Sequence, residues 1–127
     1  MRMAILAAVL FGLLVGATQL FAASVDTAVM CTAVVDRACE GSSDTFPSDV
    51  GKVYAHTTIL DHVGSVTHRY IYKDKVMAEI NLNVGGTPWR TWSSKTIDPL
   101  WSGDWKVEVV DNSDGAVMDI LEFVITE

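Results

Sequence analysis

All four tryptophans lie in one short region of the chain, between residues 89 and 105. They stand beside the cations Arg90, Lys95 and Lys106 in a protein that is otherwise acidic. Aromatic rings next to cations form either a packed contact inside the protein or a binding surface, through stacking and cation–π contacts. An exposed set would stack on sugar rings or grip peptide side chains, whereas a buried set would hold a core together.

Period-two alternation separates these rings if residues 89–97 form a strand. Trp89 and Trp92 then point to opposite faces, so we expect one indole in the core and the other either outward or under a loop. Trp105 alternates with valines and is expected in the core. Trp101 falls in the turn between two strands, where an exposed indole has no structural role.

A ligand-binding surface is predicted from this clustering. The alternative is that all four rings pack inside, with Arg90 stacked on one of them. The predicted surface comprises the residues Arg90, Trp92, Lys95, Trp101 and His68.

The three histidines His56, His62 and His68 recur at equal spacing. If residues 53–60 and 66–72 pair as a hairpin, His56 and His68 are diagonal neighbours, roughly 7–8 Å apart. That separation is long for direct chelation, so we predict cross-strand packing of the imidazoles and no metal site.

Catalytic motifs are missing from the sequence: there is no Gly-x-Ser-x-Gly elbow, phosphate-binding glycine loop or His-Glu-x-x-His. We therefore predict no catalytic residues and no cofactor. A competing interpretation is a hydrolase that uses His68, Lys95 and a turn aspartate as acid–base groups. The aspartates expected in turns are Asp61, Asp74, Asp98, Asp104, Asp111 and Asp114.

The first residues are typical of a secretory signal peptide. Arg2 precedes an uncharged apolar run over residues 3–15, and small residues follow at 22–24. The run is shorter than the roughly 20 residues that span a bilayer, so no membrane span is expected after cleavage. We predict a signal peptide over residues 1–23 and one domain over 24–127, with an uncleaved tether as the alternative.

Charge and cysteine content indicate the compartment and the partners. The chain has 127 residues and a formal net charge of −7, which disfavours nucleic acid as a partner. Cys31 and Cys39 are the only cysteines, and an even pair in an exported protein predicts a disulfide. A metal pair or two free thiols are the alternatives. The expected location is periplasmic or secreted.

The mature chain is expected to be all-β. Short runs rich in Val, Ile, Thr, Tyr and Trp alternate with turn residues and give about seven strands. We predict a single antiparallel β-sandwich of immunoglobulin-like type, with a small barrel or jelly roll as the alternative. The expected strands cover residues 27–35, 51–60, 66–72, 76–84, 89–97, 104–110 and 117–125.

Two tandem motifs stand out in the second half of the chain. They are Trp89-Arg90-Thr91-Trp92-Ser93-Ser94-Lys95 and Gly103-Asp104-Trp105-Lys106-Val107-Glu108-Val109. Together with Phe46, residues 50–54, Thr57, residues 68–70, Tyr72 and Gly115, they make the chain resemble the bacterial family of domain of unknown function 2914 over roughly residues 29–125.

This resemblance implies a compact extracytoplasmic or membrane-attached β domain, and it supplies no catalytic residues. The chain departs from the family at residues 36–40, where relatives have an Arg-Glu-Pro-like turn. We expect a non-catalytic binding or structural domain of the cell envelope that engages a protein partner. A glycan-binding module is the alternative.

Overall fold

The computed structural model describes residues 22–62 and 64–127. Most of the predicted signal peptide lies outside these residues. None of the described residues is helical, and so none belongs to a helix that could cross a membrane. The all-β prediction is confirmed. The strands are β1 (Ser24–Cys31), β2 (Ala33–Val35), β3 (Ala38–Glu40), β4 (Thr45–Pro47), β5 (Lys52–Leu60), β6 (Gly64–Tyr72), β7 (Lys75–Val84), β8 (Trp89–Thr96), β9 (Gly103–Asp111) and β10 (Val117–Thr126).

These strands form two main sheets and a separate hairpin. One sheet has the order β1-β5-β8, and the other has the order β4-β10-β9-β6-β7. The short strands β2 and β3 pair only with each other. All pairings are antiparallel except that of β10 with β4, which is parallel. This parallel pair is a departure from the wholly antiparallel sandwich that was predicted.

Seven of the strands are long, and each overlaps one of the seven expected strands. The first expected strand, over residues 27–35, also runs through β2, and the three-residue strands β2, β3 and β4 were not predicted as separate strands. In an immunoglobulin constant domain the fourth of seven strands joins the first, second and fifth. Here the fourth long strand, β7, pairs with β6 in the other sheet. The sandwich is therefore immunoglobulin-like with its fourth strand on the opposite sheet.

The expected hairpin between β5 and β6 is wrong, because the two strands lie in different sheets. Asp61 and Gly64 both have positive φ values, of 55° and 141°, and they turn the chain at a corner between the sheets. The Asp61 amide donates a hydrogen bond to the Thr87 hydroxyl at 2.8 Å, which ties this corner to the connection before β8.

Alternation on the long strands explains the core. In β5, Val53, Ala55 and Ile59 point inward and are fully buried, and β6 contributes Val66 and Tyr70 in the same way. Apolar side chains from both sheets belong to one continuous core. Burying these faces against each other is the main favourable term in such a sandwich.

A column of aromatic rings fills one end of this core. The ring of Trp105, only 3% exposed, stacks on Tyr72 at 4.7 Å and on Phe123 at 5.7 Å between centroids. Phe46 meets Phe123 edge-to-face at 6.1 Å. The prediction that Trp105 lies in the core is confirmed.

Candidate functional site

The strand β8 carries the tryptophan motif at an edge of the three-stranded sheet. Its inner face presents Thr91 and Ser93, both buried, to the core. Its outer face presents Arg90, which is exposed, and Trp92, which is half-buried. The outward direction predicted for Arg90 and Trp92 therefore holds in the structure.

Trp89 lies at the end of the sandwich and not in the core. It is 38% exposed, and its indole rests against Gly85 and Gly86 in the preceding turn. A Cβ atom at Gly85 would lie 3.2 Å from the Trp89 ring, so the glycine makes room for the indole. The expectation that one of the two β8 indoles is a core residue is wrong, because Trp89 is exposed at the first position of β8 and Trp92 is half-buried on the outer face.

On the outer face, Trp92 lies beside His56 of β5. The two residues are register partners, and their rings are parallel within 3° at 5.6 Å between centroids. His56 Nε2 lies 2.8 Å from the main-chain oxygen of Arg37 and donates a hydrogen bond to it. His56 thereby connects the floor of this surface to the β2–β3 hairpin.

The hairpin of β2 and β3 folds over the same outer face. Its two-residue turn consists of Asp36 and Arg37, with φ values of 50° and 64°, as in a type I′ turn. The predicted disulfide is present between Cys31 at the end of β1 and Cys39 in β3. The disulfide at one end and the His56 hydrogen bond at the other hold the hairpin down.

Between the hairpin tip and β8 lies a concave region of about 770 Å³, which we call the arginine–tryptophan groove. Its volume is in the range of small-ligand and peptide side-chain sites. Both arginines are exposed, and Trp89 and Trp92 are the aromatic residues of the lining. The groove is lined by Arg37, Thr58, Pro88, Trp89, Arg90 and Trp92.

Two other predicted site residues lie elsewhere and form their own pair. The Lys95 ammonium lies over the Trp101 ring, 5.1 Å from its centroid. Trp101 also packs on Trp105, and its carbonyl accepts a hydrogen bond from the Trp105 indole at 3.0 Å. Trp101 therefore closes the end of the core, and the expected shared platform of Trp92 and Trp101 is not formed.

The placement of His68 on a binding surface is wrong. Its side chain is fully buried between the sheets, because it follows Val66 and precedes Tyr70 on the inward face of β6. Both ring nitrogens are engaged: Nδ1 lies 2.6 Å from Ser93 Oγ, and Nε2 lies 3.1 Å from Thr57 Oγ1. Burial, with a smaller contribution from His56, lowers the pKa of His68 to about 4, so the imidazole is neutral at neutral pH.

The hydrogens of this buried network can be assigned from their partners. Thr57 donates its hydroxyl hydrogen to the Thr91 carbonyl, so it accepts from His68 Nε2–H. His68 Nδ1 then accepts from Ser93, and Ser93 accepts in turn from the Tyr70 hydroxyl at 2.9 Å. Burial raises the pKa of Tyr70 to about 12, which keeps it a donor. The network satisfies its members internally, and none of them lines the arginine–tryptophan groove.

Residues 64–125 match the model of the family described as Protein of unknown function (DUF2914). The resemblance to this family is confirmed. The match contains β6 to β10 and so includes both tandem motifs, but it begins later than the expected residue 29. The β2–β3 hairpin and its disulfide lie outside the matched range. A search of the curated proteins found no match to this chain.

Proposed function

We propose that this DUF2914-related protein is a non-catalytic binding domain of the cell envelope, and that it engages a protein partner through the arginine–tryptophan groove. The observation that carries the proposal is the joint placement of Arg37, Arg90, Trp89 and Trp92 around one concavity. Tryptophan and arginine are the residue types most enriched among the energetically dominant positions of protein interfaces.

An extracytoplasmic location is part of this proposal. The signal-like first residues and the Cys31–Cys39 disulfide both support it, because structural disulfides persist in oxidising compartments. The acidic composition supports a protein partner over nucleic acid or anionic lipid.

Photo-cross-linking in cells that naturally produce the protein tests the proposal. A benzophenone amino acid at Thr58, on the floor of the groove, should give one discrete protein adduct. The same probe at Lys75, an exposed residue of β7 on the other sheet, is the control and should give none. No adduct from Thr58, or equal adducts from both positions, would contradict the proposal.

A glycan ligand is the second candidate, favoured by the two indoles that border the groove. Flat aromatic rings stack on the apolar faces of sugars. A glycan array distinguishes the two candidates, because a protein-binding groove gives no array signal that depends on Trp92. Binding of one glycan class that is lost in Trp92→Ala would support the glycan alternative.

A further inference from the structure

We infer that the segment that binds in the arginine–tryptophan groove is an acidic peptide, with its carboxylates held by Arg37 and Arg90. The inference rests on the proposed function and specifies the chemistry of the partner. Charge is distributed unevenly over the domain, because a cluster of positive side chains lies at the groove although the net charge is negative.

The two groove arginines differ from Arg69 and Lys106, whose charges are paired with carboxylates on the domain itself. Arg69 forms ion pairs with Glu79 and Glu108, each at 2.9 Å, and Lys106 approaches Glu108 at 3.9 Å. Among residues 22–62 and 64–127, no ion pair involves Arg37 or Arg90. Their guanidinium groups are therefore available to a ligand.

The lining of the groove is also distinct from that of the other surface clefts. Among the residues that the structure describes, it contains two arginines and no carboxylate, although the sequence has 16 acidic residues. Three other clefts each contain at least three carboxylates. Those carboxylates belong to Asp44, Asp119 and Glu122 in one cleft, Asp74, Asp104 and Glu122 in the second, and Asp44, Asp104 and Glu122 in the third. The groove is thus a local positive site on an acidic protein.

The placement of Arg37 is the second observation. It occupies the second position of a type I′ turn, with φ of 64°, where glycine is the favoured residue and other side chains cost energy. The strained position is stabilised by the His56 hydrogen bond and by the Cys31–Cys39 disulfide. The hairpin therefore holds the Arg37 guanidinium at the edge of the groove.

The chemistry of the lining selects the ligand. A guanidinium group binds a carboxylate through two parallel hydrogen bonds, and two of them can hold two acidic side chains. The indoles of Trp89 and Trp92 provide apolar contact for residues between those acids. A long polyanion is disfavoured, because the rest of the acidic domain repels it. A short acidic segment with interspersed apolar residues fits both conditions.

Fluorescence anisotropy with two synthetic peptides tests this inference. One labelled peptide alternates glutamate with tyrosine, and the other has glutamine at every glutamate. The glutamate peptide should bind roughly tenfold more tightly or better at low salt. This advantage should shrink as salt rises from about 0.05 M to about 0.5 M, because the carboxylate contacts are screened.

Four variants show which residues are responsible for binding of the glutamate peptide. Arg37→Gln and Arg90→Gln should each weaken binding of the glutamate peptide, and the double variant should bind both peptides equally. Lys75→Gln removes the same charge from the other sheet and should stay within about twofold of the wild type. All three side chains are exposed, so the variants should fold, which circular dichroism checks.

The inference is overturned if the two peptides bind equally, or if Lys75→Gln weakens binding as much as Arg37→Gln. The cross-linking experiment separates this failure from failure of the proposed function. A discrete adduct from Thr58 without preference for the glutamate peptide rejects the acidic ligand and leaves the binding role. No adduct and no preference reject both.

Discussion

His68 Nδ1 accepts a hydrogen bond from Ser93 Oγ at 2.6 Å, and this bond joins the two sheets inside the core. Ser93 lies on β8, and His68 lies on β6 of the opposite sheet. Buried polar groups are costly unless each is hydrogen-bonded, and here every buried side-chain polar atom of the described residues has a partner. The pair therefore helps to fix how the sheets face each other.

Acid should destabilise the fold through His68. The pKa of His68 is about 4 in the folded state and 6.5 for an ordinary histidine, so the core favours the neutral imidazole. The stabilisation is fully present above pH 6.5 and is lost as the pH falls towards 4, by roughly 3 kcal/mol in total. The free energy of unfolding, measured with urea across this pH range, should depend less steeply on pH for His68→Gln than for the wild type. An equal dependence on pH in the two proteins would show that His68 is not the titrating group.

Breaking the network at Ser93 should cost more than breaking it at Tyr70. Ser93→Ala leaves both His68 Nδ1 and the Tyr70 hydroxyl without their partner, so we expect a loss of about 2–4 kcal/mol. Tyr70→Phe removes one donor and should cost about 1–2 kcal/mol. Ser94→Ala, on the outer face of the same strand, is the matched control and should change stability by less than about 0.5 kcal/mol. Urea unfolding at pH 7 measures all three, and a reversed order would contradict the assigned hydrogens.

Acrylamide quenching should report mainly on Trp89. This indole is 38% exposed, whereas Trp105 is 3% exposed. Trp89→Phe should therefore remove a large part of the quenchable fluorescence, and Trp105→Phe should remove very little. If the two variants changed quenching equally, Trp89 would not line an open groove. Gly85→Ala should also change the quenching of Trp89 fluorescence, because the added Cβ crowds the Trp89 ring.

Loss of the disulfide should loosen the hairpin without unfolding the sandwich. The Cys31→Ala, Cys39→Ala double variant removes a short loop closure, so we expect a loss of about 2–3 kcal/mol. Amide hydrogen exchange should accelerate in residues 33–40, while the core strands of both sheets stay protected. Unchanged exchange in the hairpin would mean that the His56 hydrogen bond alone holds it down.

Local patterns in the sequence were enough to predict most of the strands. Alternation in residues 76–84 and 104–110 predicted β7 and β9 to within a residue at either end. The same alternation indicated that Arg90 and Trp92 point away from Thr91 and Ser93. These features depend on neighbouring residues only.

Long-range features were not predictable in this way. Whether β5 pairs with β6 or with β8 depends on contacts between distant residues, and the hairpin expected between the two consecutive strands β5 and β6 was the wrong pairing. Three-residue strands such as β2 and β3 are too short to show a period, so the position of Arg37 beside Arg90 was missed. The burial of His68 did have a signal, since it alternates with Val66 and Tyr70.

The affinity of the cross-linked partner for groove variants tests the central claim most directly. Once mass spectrometry has identified the partner, its affinity is measured for Arg90→Ala, Trp92→Ala and the control Lys75→Ala. We predict a loss of roughly tenfold or more for each groove variant and less than about twofold for the control. Equal affinities for all three variants would contradict a binding role for the arginine–tryptophan groove.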